Sequence, residues 1–272
     1  MADGDAAGTE WPAAAVSSRE AMERGLPGWP RPGDELPGPT RPVPPGRGGD
    51  QRIPRPLNAV AGVPAPWADL PADLRRPTVA DVRAALDRKG PARPAEVELM
   101  DGPPRPGGRP SAVLVPLYDE AGLAHVVLTR RTWGLRTHQG EVSFPGGRVE
   151  PGESPVDGAR REAYEEIGLE PAGVEIIGEL DHLSTVGSGS WISPFVGVLP
   201  GRPETRPSPH EVEAVLHVPL AELLDPELFR EERWTFPGGR VQPITFFELV
   251  GDTVWGATAS LLRQLLVAVT HP

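Results

Sequence analysis

The amino-acid sequence predicts an α/β domain that follows a long segment without regular structure. From about residue 66 to residue 272, β-branched runs alternate with helical periodicity, which favours an α/β/α sandwich with a mixed sheet. Pro and Gly together make up 22 of the first 65 residues, against 46 of the other 207. Because proline removes a backbone donor and glycine raises the entropy cost of ordering, we expect residues 1–65 to form a disordered tail.

The first elements of the domain, residues 66–272, follow from local patterns. Residues 78–89 place Val82, Ala85 and Leu86 at helical spacing, with Thr78 as N-cap and Gly90 after the last turn. The stretch SAVLVPLYDEAGLAHVVLTRR then joins two apolar runs through a short polar turn that contains Gly122. A strand, a turn and a second strand are expected there.

Later segments supply the rest of the sandwich. Four more apolar runs predict strands: VEIIGELD, ISPFVGVL, VEAVLHV and ITFFELV. Residues 155–167 and 255–269 show helical patterns, and the second of these is too short to span a bilayer. We therefore expect it to cover one face of the sheet.

Composition excludes several kinds of function. The formal net charge of -11 argues against a general nucleic-acid surface, which needs clustered Lys and Arg. The absence of cysteine excludes disulfides, thiolate zinc sites and cysteine nucleophiles. The acidic N-terminus does not resemble a signal peptide, and no stretch approaches the length of a membrane span. A cytoplasmic protein without membrane contact is expected.

Three carboxylates share one face of the helix predicted at residues 155–167. Glu162, Glu165 and Glu166 stand at i, i+3 and i+4, where like charges repel by roughly 0.2–0.5 kcal/mol per pair. A hard divalent cation would offset this repulsion, because Mg²⁺ and Mn²⁺ prefer oxygen ligands. On the triplet alone, a solvated acidic face without function remains the alternative.

The full spacing around the triplet is more specific. Gly147 is followed after five residues by Glu153, and after seven more by Arg161-Glu162, an apolar residue, any residue, Glu165-Glu166, any residue and Gly168. This pattern resembles the signature of the Nudix hydrolases. The resemblance implies a Nudix-type α/β/α fold and an enzyme that uses Mg²⁺ or Mn²⁺ to cleave the diphosphate of a small-molecule nucleoside derivative.

The resemblance also implies roles for the signature residues. Glu162 and Glu166 are expected to bind metal directly, with Glu165 as a further ligand or base, Glu153 assisting and Gly147 offering a backbone carbonyl. Arg161 is expected to be structural, since in such motifs it pairs with an acidic neighbour and orients the loop. Gly168 is expected to end the helix.

The residues before the signature narrow the substrate. Thr129, Arg131, Arg136, Gly140 and FPGG at 144–147 resemble the coenzyme A pyrophosphatase branch of the Nudix family, with Thr132 where that branch usually has Ser or Ala. Arginines there would suit the diphosphate and 3'-phosphate of coenzyme A, although surface ion pairs are the alternative. His138 is expected either to bind substrate or to cap the loop.

Several alternatives stay open at this level. Another nucleoside diphosphate derivative, such as ADP-ribose or a dinucleotide polyphosphate, is the second candidate substrate, and a non-catalytic nucleotide-binding regulator is the third reading. Glu211 or Glu213 could approach the metal from a separate loop, and a homodimer is a further option. The hexapeptide FPGGRV recurs at residues 236–241 without the carboxylates, which predicts an ordinary hairpin turn there.

Overall fold

The structure is a computed structural model that describes residues 23–30, 51, 53–94, 109–135, 138–185, 190–236 and 239–271. Within these residues the chain forms two β-sheets and several helices. The larger sheet has eight strands, and the smaller has four. The predicted α/β class is therefore confirmed.

The eight-stranded sheet is mixed. Its strands are β2 (Arg109–Glu120), β3 (Leu123–Arg131), β4 (Val142–Ser143), β5 (Gly146–Arg148), β6 (Glu175–Glu179), β7 (Leu183–Ser184), β8 (Ser190–Val198) and β9 (Val212–Pro219). The central path runs β4-β3-β2-β8-β6, while β5, β7 and β9 pair with β2, β8 and β3 respectively. Strands β2 and β8 are parallel, and the other neighbours are antiparallel.

The hairpin predicted at the start of the domain is present. Strands β2 and β3 pair antiparallel, with Glu120 opposite Leu123. The two residues between them, Ala121 and Gly122, both have positive φ angles of 53° and 76°. A two-residue turn of this kind matches the right-handed twist of the paired strands.

Helices lie on both faces of the large sheet. Helix α2 (Pro155–Ile167) packs Ala159, Ala163 and Ile167 on one face. Helices α1 (Val79–Lys89) and α4 (Gly256–Thr270) cover the other face with a larger set of apolar side chains. The short helix α3 (Leu220–Leu223) follows β9. This arrangement is the α/β/α sandwich that the sequence predicts.

Helix α1 begins and ends where its sequence indicates. The Thr78 hydroxyl accepts a hydrogen bond from the Asp81 N–H, and the Asp81 carboxylate accepts one from the Thr78 N–H, which completes a capping box. Gly90 follows the last helical residue and donates its N–H to the Leu86 carbonyl. Both predicted ends are therefore confirmed.

The second FPGGRV copy lies in the smaller sheet. That sheet contains β1 (Val60–Ala61), β10 (Phe229–Thr235), β11 (Val241–Leu249) and β12 (Asp252–Trp255). Thr235 pairs with Val241 across the copy, so it joins two antiparallel strands, although residues 237–238 lie outside the described chain. The hairpin prediction for this copy is confirmed.

Parts of the segment before residue 66 contact the smaller sheet. Val60–Ala61 pairs with β10, and Trp29 packs in an aromatic cluster with Trp234 and Phe236. Gln51 exchanges two hydrogen bonds with the backbone of Thr253, at 2.6 and 3.1 Å. These stretches are an exception to the expected disordered tail, because a few apolar and amide side chains among the prolines have partners on the sheet.

Asp181 joins three parts of the fold by polar contacts. Its carboxylate binds Lys89 at 2.6 Å and Arg93 at 2.7 Å, and its backbone N–H donates to Gln264 of α4 at 3.0 Å. Burial alone would raise the pKa of Asp181, but the Arg93 N–H and the two cationic side chains lower it from 3.8 to about 2. The contact ties α1 and α4 to the loop after β6.

We expect Asp181→Asn to lower the free energy of unfolding at pH 7 by about 1–2 kcal/mol. The folded pKa lies below the ordinary value, so the stabilisation is present above pH 4 or so and is lost as the pH falls towards about 2. Urea unfolding at several pH values measures this. Glu175→Gln, which breaks an exposed pair with Arg83, is the control and should change stability by less than about 0.5 kcal/mol. Equal effects of the two substitutions would contradict the expectation.

No helix within the described ranges is long and apolar enough to cross a membrane.

Candidate active site

The glycine pair of the first FPGGRV copy lets three parts of the fold approach closely. Strand β5 pairs with β2, with Gly146 opposite Val113 and Gly147 opposite Ala112. A Cβ atom at Gly146 would lie 2.4 Å from the Ala112 carbonyl oxygen, and one at Gly147 would lie 2.4 Å from the Glu162 carboxyl carbon. The contact with the Ala112 backbone excludes a side chain at Gly146, whereas a side chain at Gly147 would push the Glu162 carboxylate away from the loop.

Helix α2 begins and ends as its sequence predicts. The Ser154 hydroxyl accepts the N–H of Asp157 at 3.3 Å, and Pro155 occupies the first turn. Gly168 is left-handed, with φ of 74°, and donates its N–H to the Tyr164 carbonyl at 2.8 Å. This capping fixes the length of the helix and hence the positions of its carboxylates.

The three helix carboxylates differ in exposure. Glu166 is buried, with 3% of its surface exposed, whereas 55% of the Glu165 side chain is exposed. Glu162 is half-buried against Gly147. One side of α2 lies against the sheet and the other faces solvent. The three carboxylates therefore differ in depth: Glu166 is buried, Glu162 is intermediate and Glu165 is exposed.

Burial has a large effect on Glu166. It raises the pKa of Glu166 to about 8, opposed by the charge of Arg131 and reinforced by those of Glu162 and Glu211. The carboxylate accepts the Gly146 N–H at 3.4 Å, and its other oxygen lies 3.7 Å from a guanidinium nitrogen of Arg131. The ionised form of Glu166 therefore needs more positive charge than these neighbours supply.

Glu162 has a related but smaller perturbation. Burial raises its pKa, the adjacent Arg161 lowers it, and the charges of Glu165 and Glu211 raise it again. In contrast, hydrogen bonds from Arg161 and from the Glu150 N–H lower the pKa of Glu153. The acids nearest the sheet thus hold protons more strongly than the acid on the loop.

Arg161 connects the loop to the helix carboxylates. Its guanidinium lies 3.0 Å from each of Glu153, Glu162 and Glu165. It also donates to the Arg148 carbonyl at 3.0 Å. These contacts offset part of the charge of the three acids and hold the loop against the helix, which is compatible with the predicted structural role.

The donor set suits a hard divalent cation. It consists of carboxylates with the backbone of Gly147 beside them, and Glu166 is a buried acid that a cation would help to ionise. Within the part of the chain that the structure describes, however, no three acidic or histidine side chains already surround a single point. Arg161 lies among three of the acids, so they are held apart by a guanidinium.

Of the two arginines predicted to bind substrate, the structure describes only Arg131. Arg131 lies beside Glu166, and its Nε is buried without a hydrogen-bond partner among the described residues. Arg136 lies outside the described residues. The Arg131 side chain is 25% exposed, so this cation stands beside the carboxylates within reach of an anionic ligand.

His138 lies at the end of the loop before the glycine pair. Its ring nitrogen is 2.7 Å from the Glu141 carboxylate, and its carbonyl accepts the Glu141 N–H at 3.3 Å. Its φ angle of 57° is left-handed, as is common in tight loops. Of its two predicted roles, these contacts fit the loop cap, while a contact with substrate stays a prediction.

Of Glu211 and Glu213, the structure places Glu211 towards the site. Its charge raises the pKa of both Glu162 and Glu166, whereas Glu213 lies 3.2 Å from Arg130 on the neighbouring strand. The pairing of β3 with β9 skips Glu213, because Arg130 faces Ala214 and Arg131 faces Val212. Such a β-bulge separates two acids that a regular strand would place on one face.

The fold and this constellation of glycine loop, arginine and carboxylate helix define a diphosphate-cleaving hydrolase. The NUDIX domain family model matches residues 108–233. The uncharacterized Nudix hydrolase NudL of Escherichia coli strain K12 is 35% identical over 176 residues, which cover 59% of this chain and 83% of NudL. The chain belongs to the Nudix hydrolase family, whose members act on nucleoside diphosphate derivatives.

Solved structures give weaker similarity. A MutT/nudix family protein from Enterococcus faecalis is 17% identical and covers 72% of this chain and 80% of its own, with a TM-score of 0.39. The NUDIX domain of Shewanella oneidensis NrtR, solved with ADP ribose, is 18% identical and covers 48% of this chain and 86% of its own, with a TM-score of 0.36. The family assignment rests on the sequence comparisons.

Proposed function

We propose that this Nudix hydrolase cleaves the diphosphate bond of coenzyme A or its derivatives. The products would be 4'-phosphopantetheine and adenosine 3',5'-bisphosphate. The observation that carries the proposal is the position of Arg131: it belongs to the pattern that resembles the coenzyme A branch, and its partly exposed side chain lies 3.7 Å from Glu166. A guanidinium placed there can bind a phosphate oxygen without leaving the carboxylates.

The carboxylates would hold the metal. We assign Glu162 and Glu166 as ligands, Glu165 as a further ligand or base, Glu153 as an assisting acid and the Gly147 carbonyl as an additional oxygen. Mg²⁺ or Mn²⁺ bound there would neutralise the diphosphate and favour ionised water as the nucleophile. Glu211 joins this set in the proposal, because its charge acts on both Glu162 and Glu166.

The other residues position the reactants. Arg161 holds the loop of Glu153 against α2, and Gly146 donates its N–H to the carboxylate of Glu166. Arg131 would orient the diphosphate beside these acids. A carboxylate of this set with an oxygen that does not bind arginine would accept the proton of the attacking water. A cytoplasmic location and a homodimer remain predictions.

We expect the full chain with Mg²⁺ or Mn²⁺ to convert coenzyme A to the two named products. Dephospho-coenzyme A should react at least about tenfold less efficiently if an arginine clamp binds the 3'-phosphate, because a lost charged contact is worth about 1.5–3 kcal/mol. Chromatography with mass identification of both products measures the reaction, and excess chelator should abolish it.

Two outcomes would count against this assignment. Faster hydrolysis of ADP-ribose or a dinucleotide polyphosphate would move the chain to the second candidate substrate class. Equal efficiency with coenzyme A and its dephospho form would mean that no arginine clamp binds the 3'-phosphate, although coenzyme A would remain a substrate.

A further inference from the structure

Trp133 is an exposed aromatic side chain two residues after Arg131, in the loop that follows β3. It is 40% exposed, and Tyr164 is the other large aromatic among the described residues with comparable exposure. Trp29, Trp67 and Trp234 are buried. A large aromatic ring exposed to solvent two residues from Arg131 is more informative than a scattered aliphatic residue, since exposed apolar surfaces can mark binding sites.

The ring of Trp133 is held in place by the backbone. A Cβ atom at Gly140 would lie 2.7 Å from Cζ2 of Trp133, so the six-membered ring rests directly on a residue without a side chain. Gly140 donates its N–H to the Arg131 carbonyl at 3.2 Å, and Arg131 donates its own to Glu141 at 2.9 Å. These hydrogen bonds close the base of the loop on which the ring lies.

The chain just before Trp133 is bonded to the site itself. Thr132 donates its N–H to the Glu211 carbonyl at 2.9 Å and its hydroxyl to the His210 carbonyl at 3.1 Å. Arg131, one residue earlier, lies 3.7 Å from Glu166. Because Trp133 is only two residues from Arg131, at most about 7 Å along the chain, a substrate whose diphosphate lay between Arg131 and the carboxylates would have its organic part within reach of the ring.

We propose that Trp133 is the platform on which the purine base of the substrate stacks. A purine is flat and polarisable, and an aromatic ring fixed in advance binds it without a large entropy cost. This assignment depends on one part of the proposed function, namely that the site binds an adenine nucleotide. Trp133 would then be the residue that selects substrates carrying a base.

Binding of adenosine 3',5'-bisphosphate tests the platform separately from turnover. In calorimetry with Mg²⁺ present, Trp133→Ala should raise the Kd for adenosine 3',5'-bisphosphate roughly 10-fold to 100-fold, as expected for loss of one base–aromatic stack. Trp133→Phe should bind within about threefold of the wild type, since it keeps a ring. Ribose 5-phosphate, which lacks a base, should bind equally to all three proteins.

Leu74→Ala is the control. This residue is 62% exposed and lies before α1, away from the carboxylate helix, so its truncation should leave the Kd unchanged. An unchanged Kd in Trp133→Ala would overturn the platform, as would equal weakening of ribose 5-phosphate, which would indicate a loop distorted by the substitution. A shift in sedimentation with no change in Kd would instead assign Trp133 to self-association and also overturn it.

The proposed substrate can fail independently. If the wild type binds adenosine 3',5'-bisphosphate through Trp133 but does not cleave coenzyme A, the platform stands and the substrate assignment falls. If coenzyme A is cleaved and Trp133→Ala changes neither KM nor the Kd, the reverse holds.

Discussion

Glu166→Gln is expected to lower turnover by a factor on the order of 10² to 10⁴ while the protein remains folded. Glu166 is the most buried of the helix carboxylates, at 3% exposure, and it contacts both the glycine loop and Arg131. Glutamine has the same shape but lacks the charge that a divalent cation requires. Steady-state kinetics with the proposed substrate, together with metal titration of the variant, would measure the loss.

The same variant should not be less stable without metal. Burial raises the pKa of Glu166 to about 8, so near neutral pH the metal-free folded state keeps this carboxyl protonated while the unfolded state ionises it. That difference costs stability, and a neutral amide avoids the cost. Urea unfolding in the presence of chelator checks this point. Glu175→Gln, on the exposed pair with Arg83, is the control with the same change of chemistry and should keep full activity.

Near-normal activity in Glu166→Gln would remove this residue from the metal site. Loss of activity together with loss of structure would instead mean that Glu166 acts through folding. Since circular dichroism and urea unfolding distinguish these cases, the two results cannot be confused.

Trp29→Ala is expected to lower the free energy of unfolding by about 3 kcal/mol, the low end of the range for a buried aromatic. Trp29 is 4% exposed, and its ring lies 5.8 Å from those of Trp234 and Phe236. Its removal leaves a cavity against Trp234, which is itself fully buried. Denaturant unfolding followed by tryptophan fluorescence would show the lower midpoint.

Leu57→Ala offers a control from the same part of the chain. Leu57 is 75% exposed, so its truncation should change stability by less than about 0.5 kcal/mol. If Trp29→Ala were equally mild, the docking of this segment would contribute nothing to the stability of the domain. Activity of Trp29→Ala at low temperature should stay near normal, because Trp29 contacts the smaller sheet and not the carboxylates.

Local signals predicted the elements that carry the site. Ser154, Pro155 and Gly168 bound α2 by capping chemistry that depends only on neighbouring residues, so the sequence could locate the helix and its carboxylates. The turn at Gly122 and the capping box at Thr78 are of the same kind. The exposure of each carboxylate could not be predicted, because it depends on how deeply α2 lies on the sheet.

Other features depend on distant parts of the chain. Arg130 and Arg131 are adjacent in sequence, yet Arg130 binds the buried Asp252 of β12 at 3.0 Å while Arg131 faces Glu166. Alternation along a strand predicts opposite faces, but not which face holds the acids. The bulge opposite this pair and the docking of Trp29 have no local signature, since both require strands from elsewhere in the chain.

Gln51 satisfies two backbone groups at one edge of the smaller sheet. Strand β12 is the last strand of that sheet, and the amide of Gln51 occupies the N–H and carbonyl of Thr253 as a neighbouring strand would. A chain shortened beyond residue 51 would present those groups unpaired, and an open edge recruits strands from other molecules. A fragment that begins after residue 51 and keeps the smaller sheet would thus be prone to aggregation for a reason unrelated to its catalytic residues.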